Sequence, residues 1–102
     1  VEVARSISGV FVEEAARNIA SLQNALETSD LETASHLAHS VKGSSANLGA
    51  RSLRETAASM EKLLQLGDVT QAGDLLPQLI ERFAALKRAM HHLLSEDGKK
   101  SG

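Results

Sequence analysis

The chain has 102 residues, no cysteine and a formal net charge of −2 with histidine neutral. That length suits one domain, and the missing thiols exclude a disulfide scaffold, a cysteine nucleophile and cysteine metal ligands. With no basic stripe and only two aromatic residues, both Phe, the chain lacks the charge footprint and the stacking platform of a nucleic-acid binder. No apolar run approaches the roughly 20 residues of a membrane span. The opening VEVARSISG does not have the form of a signal peptide.

The predicted elements, in chain order, are a short N-terminal segment and four helices. The first helix covers about 8–28. Val10, Phe11, Ala15, Ile19, Leu22 and Leu26 recur at spacings of three, four or seven, the period of an amphipathic helix. The second follows Ser29-Asp30, either of which can cap free backbone N–H groups, and it ends at Gly49. The third opens after Arg51-Ser52, where Ser52 and Glu55 have the spacing of a capping box. Its inner stripe is Leu53, Ala57, Met60 and Leu64, and Gly67-Asp68 stops it. The fourth covers about 69–94 on a face from Leu75 to Leu94 that includes Ile80, Phe83 and Met90. Pro77 removes a hydrogen bond inside it, so that helix kinks there or breaks near Gly73 and restarts with Asp74 as cap. No segment alternates with period two. The expected fold class is all-α, an antiparallel up-down four-helix bundle. It forms a single domain over 1–102, with its core at about 8–94 and a flexible polar tail at 95–102.

On a wheel for the second helix, Leu31, Ala34, Leu37, Ala38, Val41, Ser45 and Leu48 gather on one side. His39 points away, roughly 150° from the centre of that arc. Gly43 lies one turn above it, Lys42 and Ala46 flank the same surface, and His36 is also outward. An exposed histidine alone is ordinary surface. A glycine inside a helix costs about 0.5–1 kcal/mol relative to Ala, and here it clears space beside the ring. An imidazole next to a lysine, with no bulky side chain one turn away, suits a transferred phosphoryl group, which needs cations or donors around it. The chain has no GxxxxGK[ST] loop and no GxGxxG fingerprint. A phosphoryl donor, and any metal, must therefore come from a partner.

The stretch AHSVKGSSANLGA, residues 38–50, resembles the signature of histidine-containing phosphotransfer (HPt) domains: a His, two residues, Lys-Gly, small residues, then Gly. The likeness continues through Leu53, Met60-Glu61 and Leu64 to Gly67-Asp68 and covers about 10–94. It implies a four-helix bundle that relays a phosphoryl group between receiver domains in multistep two-component signalling. The phosphorylated residue would be His39, at Nε2. Lys42 would neutralise the phosphoryl charge, and Gly43 would give a receiver room to bring its aspartate in line. His36, Ser44, Ala46 and Asn47 would serve docking or local support. The resemblance implies no intrinsic cofactor, Mg2+ on the partner receiver and a monomer when isolated. It also implies a cytoplasmic place, either free-standing or at the C-terminal, cytoplasmic end of a membrane-bound hybrid sensor kinase.

Two other readings compete. One is a bundle that only docks proteins, for which His39 needs no chemistry. The other is a metal site on His36 and His39, three residues apart on one helix face, with His91 or His92. Zinc wants three or four ligands, and whether His91 or His92 meets His36 depends on packing that the sequence does not fix.

Overall fold

The computed structural model describes the backbone of residues 2–101 and the side chains of residues 9–92. The elements are α1 (Glu2–Glu27), α2 (Leu31–Asn47), α3 (Arg51–Gln65), α4 (Val69–Asp74) and α5 (Leu76–Ser101). Helix α1 begins earlier than the apolar stripe predicts. No proline or glycine lies between Glu2 and Ser8 to break it, so the expected N-terminal segment continues the helix. The tail expected to be flexible, 95–102, falls where α5 extends to Ser101, and its side chains lie outside the described residues.

The three turns after α1, α2 and α3 are built alike. Each places one residue in the left-handed region: Ser29 (φ 55°), Gly49 (φ 70°) and Gly67 (φ 80°). The N–H after each bonds back five residues along the chain. Asp30 donates to Ala25 O, Ala50 to Ser45 O and Asp68 to Leu63 O, each at 2.9 Å. These are Schellman endings, which satisfy the last carbonyls of a helix. The next residue already caps the following helix, with Asp30 accepting from Thr33 N at 3.2 Å and Asp68 from Gln71 N at 3.0 Å. Glycine takes the left-handed conformation without penalty, whereas an L side chain is disfavoured there by roughly 1–2 kcal/mol. Ser29→Gly should therefore raise the unfolding free energy by about 0.5–1 kcal/mol, measured by urea denaturation.

The capping box expected at Ser52 and Glu55 does not form. The turn at Gly49 closes so tightly that Ala50 becomes the cap residue, with no side-chain cap bond. Glu55 instead accepts from Arg51 Nε at 3.1 Å. Pro77 breaks the last helix. Leu75 ends α4, and its carbonyl accepts from Leu79 N at 2.9 Å as the first bond of α5. Pro77 then sits in the first turn of α5, where a missing N–H costs nothing. The junction is Leu75, one residue beyond the Asp74 cap that the sequence offered.

Helix α2 packs between α1 and α3, and α5 lies against α3 and reaches α1, closing a four-helix bundle. One cluster forms its core. It takes Ala15, Ile19, Leu22 and Ala25 from α1, Ala34, Ala38 and Val41 from α2, Leu53, Ala57, Met60 and Leu64 from α3, Ala72 from α4, and Leu79 and Phe83 from α5. Two large stripe residues are exposed, Val10 (58%) and Ile80 (41%), and Phe11 and Met90, expected in the core, are only half-buried. Helix α1 has 26 residues against 17 in α2. The two are joined at the far end, so the first turns of α1 overhang α2, and Val10 is at that edge. Ile80 lies one residue, about 100° of turn, from fully buried Leu79. The buried face of α2 is all small: Ala34, Ala38, Val41, Ser44 and Ser45. Small residues let its neighbours approach closely.

Candidate functional site

Three side chains meet where α2 and α3 run side by side. Each follows a fully buried residue: His39 after Ala38, Lys42 after Val41, and Glu61 after Met60. One residue is about 100° of helix, so a side chain next to an inward anchor stands at the rim of the seam. The small inner face of α2 brings α3 near enough for the rims to touch.

Glu61 bridges the other two. Its Oε2 lies 2.8 Å from His39 Nδ1, and its Oε1 accepts from Lys42 Nζ at 2.7 Å. The carboxylate side chain is 13% exposed, Lys42 34% and His39 65%. The ring thus offers one edge to the seam and the other to solvent. A carboxylate accepts only, so Nδ1 carries the hydrogen. In a neutral ring the lone pair then lies on Nε2, at the exposed edge. Burial alone pushes the Glu61 carboxyl pKa up. The hydrogen bonds from Lys42 and His39, with their charges, outweigh burial and hold it below its ordinary value of 4.5.

That depression has a measurable consequence. A carboxyl group whose pKa falls on folding stabilises the fold at higher pH, and the contribution disappears as pH drops through the folded value. The unfolding free energy of the wild type relative to Glu61→Gln should therefore carry this contribution at about pH 5. It should decline below the ordinary value of 4.5. Denaturant titrations across that range measure it.

The remaining candidates take separate places. A Cβ built on Gly43 meets no heavy atom within 4 Å, so its surface is open. Ser44 is buried and donates to Glu14 Oε1 of α1 at 3.5 Å, which makes it a support for the α1–α2 contact and not docking surface. Asn47 Nδ2 donates to Gly43 O at 3.1 Å, and Ala46 is exposed beside it. Ser45 faces inward, as the wheel requires, and donates to Val41 O at 2.6 Å. His36 is exposed one turn before His39, while His91 and His92 are exposed on α5. Among the described residues no three His, Asp or Glu side chains are grouped to hold a metal ion. A cleft of about 210 Å³ between α3 and α5, rimmed by Ser52, Glu55 and Arg82, includes none of the three seam residues.

Glu61 and Glu14 are the participants that sequence reasoning missed. The available signal for Glu61 was its position directly after Met60, an inner-stripe residue, on the helix that follows the histidine helix.

Comparison with known proteins gives two matches. The family model described as "Hpt domain" matches residues 6–94. Multistep phosphorelay regulator 1 of Schizosaccharomyces pombe (strain 972) is 42% identical over 60 residues, which cover 59% of this chain and 20% of that protein. The matched stretch thus spans a fifth of the length of that curated relative. No solved structure matches.

Proposed function

Because the chain belongs to the Hpt domain family, we propose that His39 takes a phosphoryl group from a receiver-domain aspartate on Nε2 and yields it to another receiver. Hpt domains are phosphotransfer carriers and not autonomous kinases, and the sequence has no nucleotide-binding motif. The observation that carries the assignment is the 2.8 Å contact between Glu61 and Nδ1. It fixes the tautomer whose nucleophilic lone pair lies on the solvent edge. An interaction-only bundle would gain only stability from such a bond.

In the forward step the Nε2 lone pair attacks phosphorus. The P–O bond to the receiver aspartate breaks, and its electron pair remains on the aspartate carboxylate. Lys42, held beside the ring through Glu61, supplies positive charge for the incoming group. Gly43 leaves the approach unobstructed. His36, Ala46 and Asn47 lie on or next to the same helix face and form the rim that a receiver meets. The aspartate and Mg2+ belong to the receiver, and the carrier holds no cofactor of its own. Among the described residues no helix is long and apolar enough to cross a membrane, and the proposed setting is cytoplasmic, where receivers are found.

The test is phosphoryl transfer from a panel of phosphorylated receivers to this chain. Label that is acid-labile and base-stable has the chemistry of a phosphoramidate and supports the reading. Acid-stable label would overturn it.

A further inference from the structure

The bridging carboxylate has a second task, after the phosphoryl group has arrived. We infer that Glu61 keeps Nδ1 of His39 protonated in the phosphorylated state, so that the domain stores the phosphoryl group in the form it can give away. The inference rests on the phosphoacceptor reading above and concerns the lifetime and outward transfer of the product.

The chemistry follows from which ring edge each partner uses. Nε2 and Nδ1 lie on opposite edges of the imidazole, and phosphorylation occupies the exposed one. The Glu61 carboxylate on the covered edge, 2.8 Å from Nδ1, is not displaced. When P–Nε2 forms, Nδ1 still holds its hydrogen and the ring becomes a phosphorylated imidazolium. On the return step P–Nε2 breaks, and its electron pair goes back to the ring. With Nδ1–H in place the leaving group is neutral imidazole. Without that proton it is an imidazolate anion, a far poorer leaving group. The fraction of carrier with Nδ1 protonated therefore sets how readily phosphorus passes to an aspartate or to water.

Two charged groups bear on that proton. Glu61 from α3 accepts it directly and favours the cationic ring. Lys42 on α2 disfavours it, and its ammonium is held on the other carboxylate oxygen at 2.7 Å. From α1, Glu14 is engaged with Ser44, one helical turn and more from the ring, and His36 lies one turn away on α2. Each oxygen of Glu61 thus has one donor, and the one facing the ring is not shared with the lysine. The residue is a positioning group. It touches neither phosphorus nor the receiver, and acts through Nδ1.

The experiment loads the intact chain with phosphoramidate, which needs no receiver, using His39→Gln as the blank for the other histidines. Loss of the phosphoryl group to water is then followed across about pH 5–9 by 31P NMR, and Nδ1 protonation by 15N shifts. In the wild type the fast-hydrolysing form should persist to higher pH than in Glu61→Gln, whose midpoint should fall by about one pH unit or more. Near neutral pH the variant's phosphohistidine should be correspondingly longer-lived. Lys42→Gln should move the midpoint upward. A purely structural role for Glu61 would alter the melting temperature and leave both midpoints alone. Equal midpoints in wild type and Glu61→Gln overturn the inference. Failure of phosphoramidate to label His39 above the blank overturns the phosphoacceptor reading itself, and the inference with it.

Discussion

His39→Gln should abolish phosphoryl acceptance from every receiver and leave the bundle folded. The glutamine amide still has a hydrogen to offer Glu61, so the seam keeps its polar closure. Its nitrogen lone pair is delocalised into the carbonyl and does not attack phosphorus. The replaced side chain is 65% exposed, and ion pairs at such sites contribute modestly. The unfolding free energy should thus change by less than about 1 kcal/mol. Denaturant midpoints and phosphate incorporation, measured on the same preparations, test the two halves separately. Label surviving in the variant would transfer the assignment to His36, His91 or His92.

Gly43 should separate stability from partnership. Its added Cβ would meet nothing, so the fold does not demand a glycine there. Gly43→Ala should raise stability by about 0.5–1 kcal/mol through helix propensity. Gly43→Leu should also fold and should load from phosphoramidate, a small donor. Transfer from a receiver should fall on the order of 10²-fold, because a side chain one turn above His39 holds the aspartate off line. Gly73→Ala is the control. A Cβ there is equally unobstructed, and the substitution should leave receiver transfer unchanged. Equal loss of both donors in Gly43→Leu would contradict the steric account.

Much of this was legible from the residues because helical periodicity is a local code. The wheel turned His39 outward and Ser45 inward, Gly49 and Gly67 marked the helix ends, and Leu53, Ala57, Met60 and Leu64 formed the inner stripe. The failures have a common cause. A capping box at Ser52 is a statement about one helix, and it lost to the turn at Gly49, which belongs to the helix before. Val10 fits the stripe of α1, but whether a stripe residue is covered depends on the length of the helix opposite. Glu61 was invisible to a wheel of α2 because its role arises across a seam between two helices. Its partners are 22 and 19 residues away in sequence. Ser29 shows the converse limit, since the turn took the shape that its two glycine counterparts have without the glycine that would announce it.

The placement of each seam residue directly after a fully buried one also says what would have to travel with the site if it were grafted elsewhere. A histidine, a lysine and a glutamate copied onto the surface of another bundle would float on three independent side chains. The portable unit is larger: Ala38-His39, Val41-Lys42 and Met60-Glu61 on two helices, the first with inner residues small enough to let the pair close. An engineer who keeps those six positions and the helix spacing carries the bridging carboxylate along with the proposed phosphoacceptor. One who keeps only the histidine motif transplants the proposed phosphoacceptor without the carboxylate that holds its Nδ1 edge.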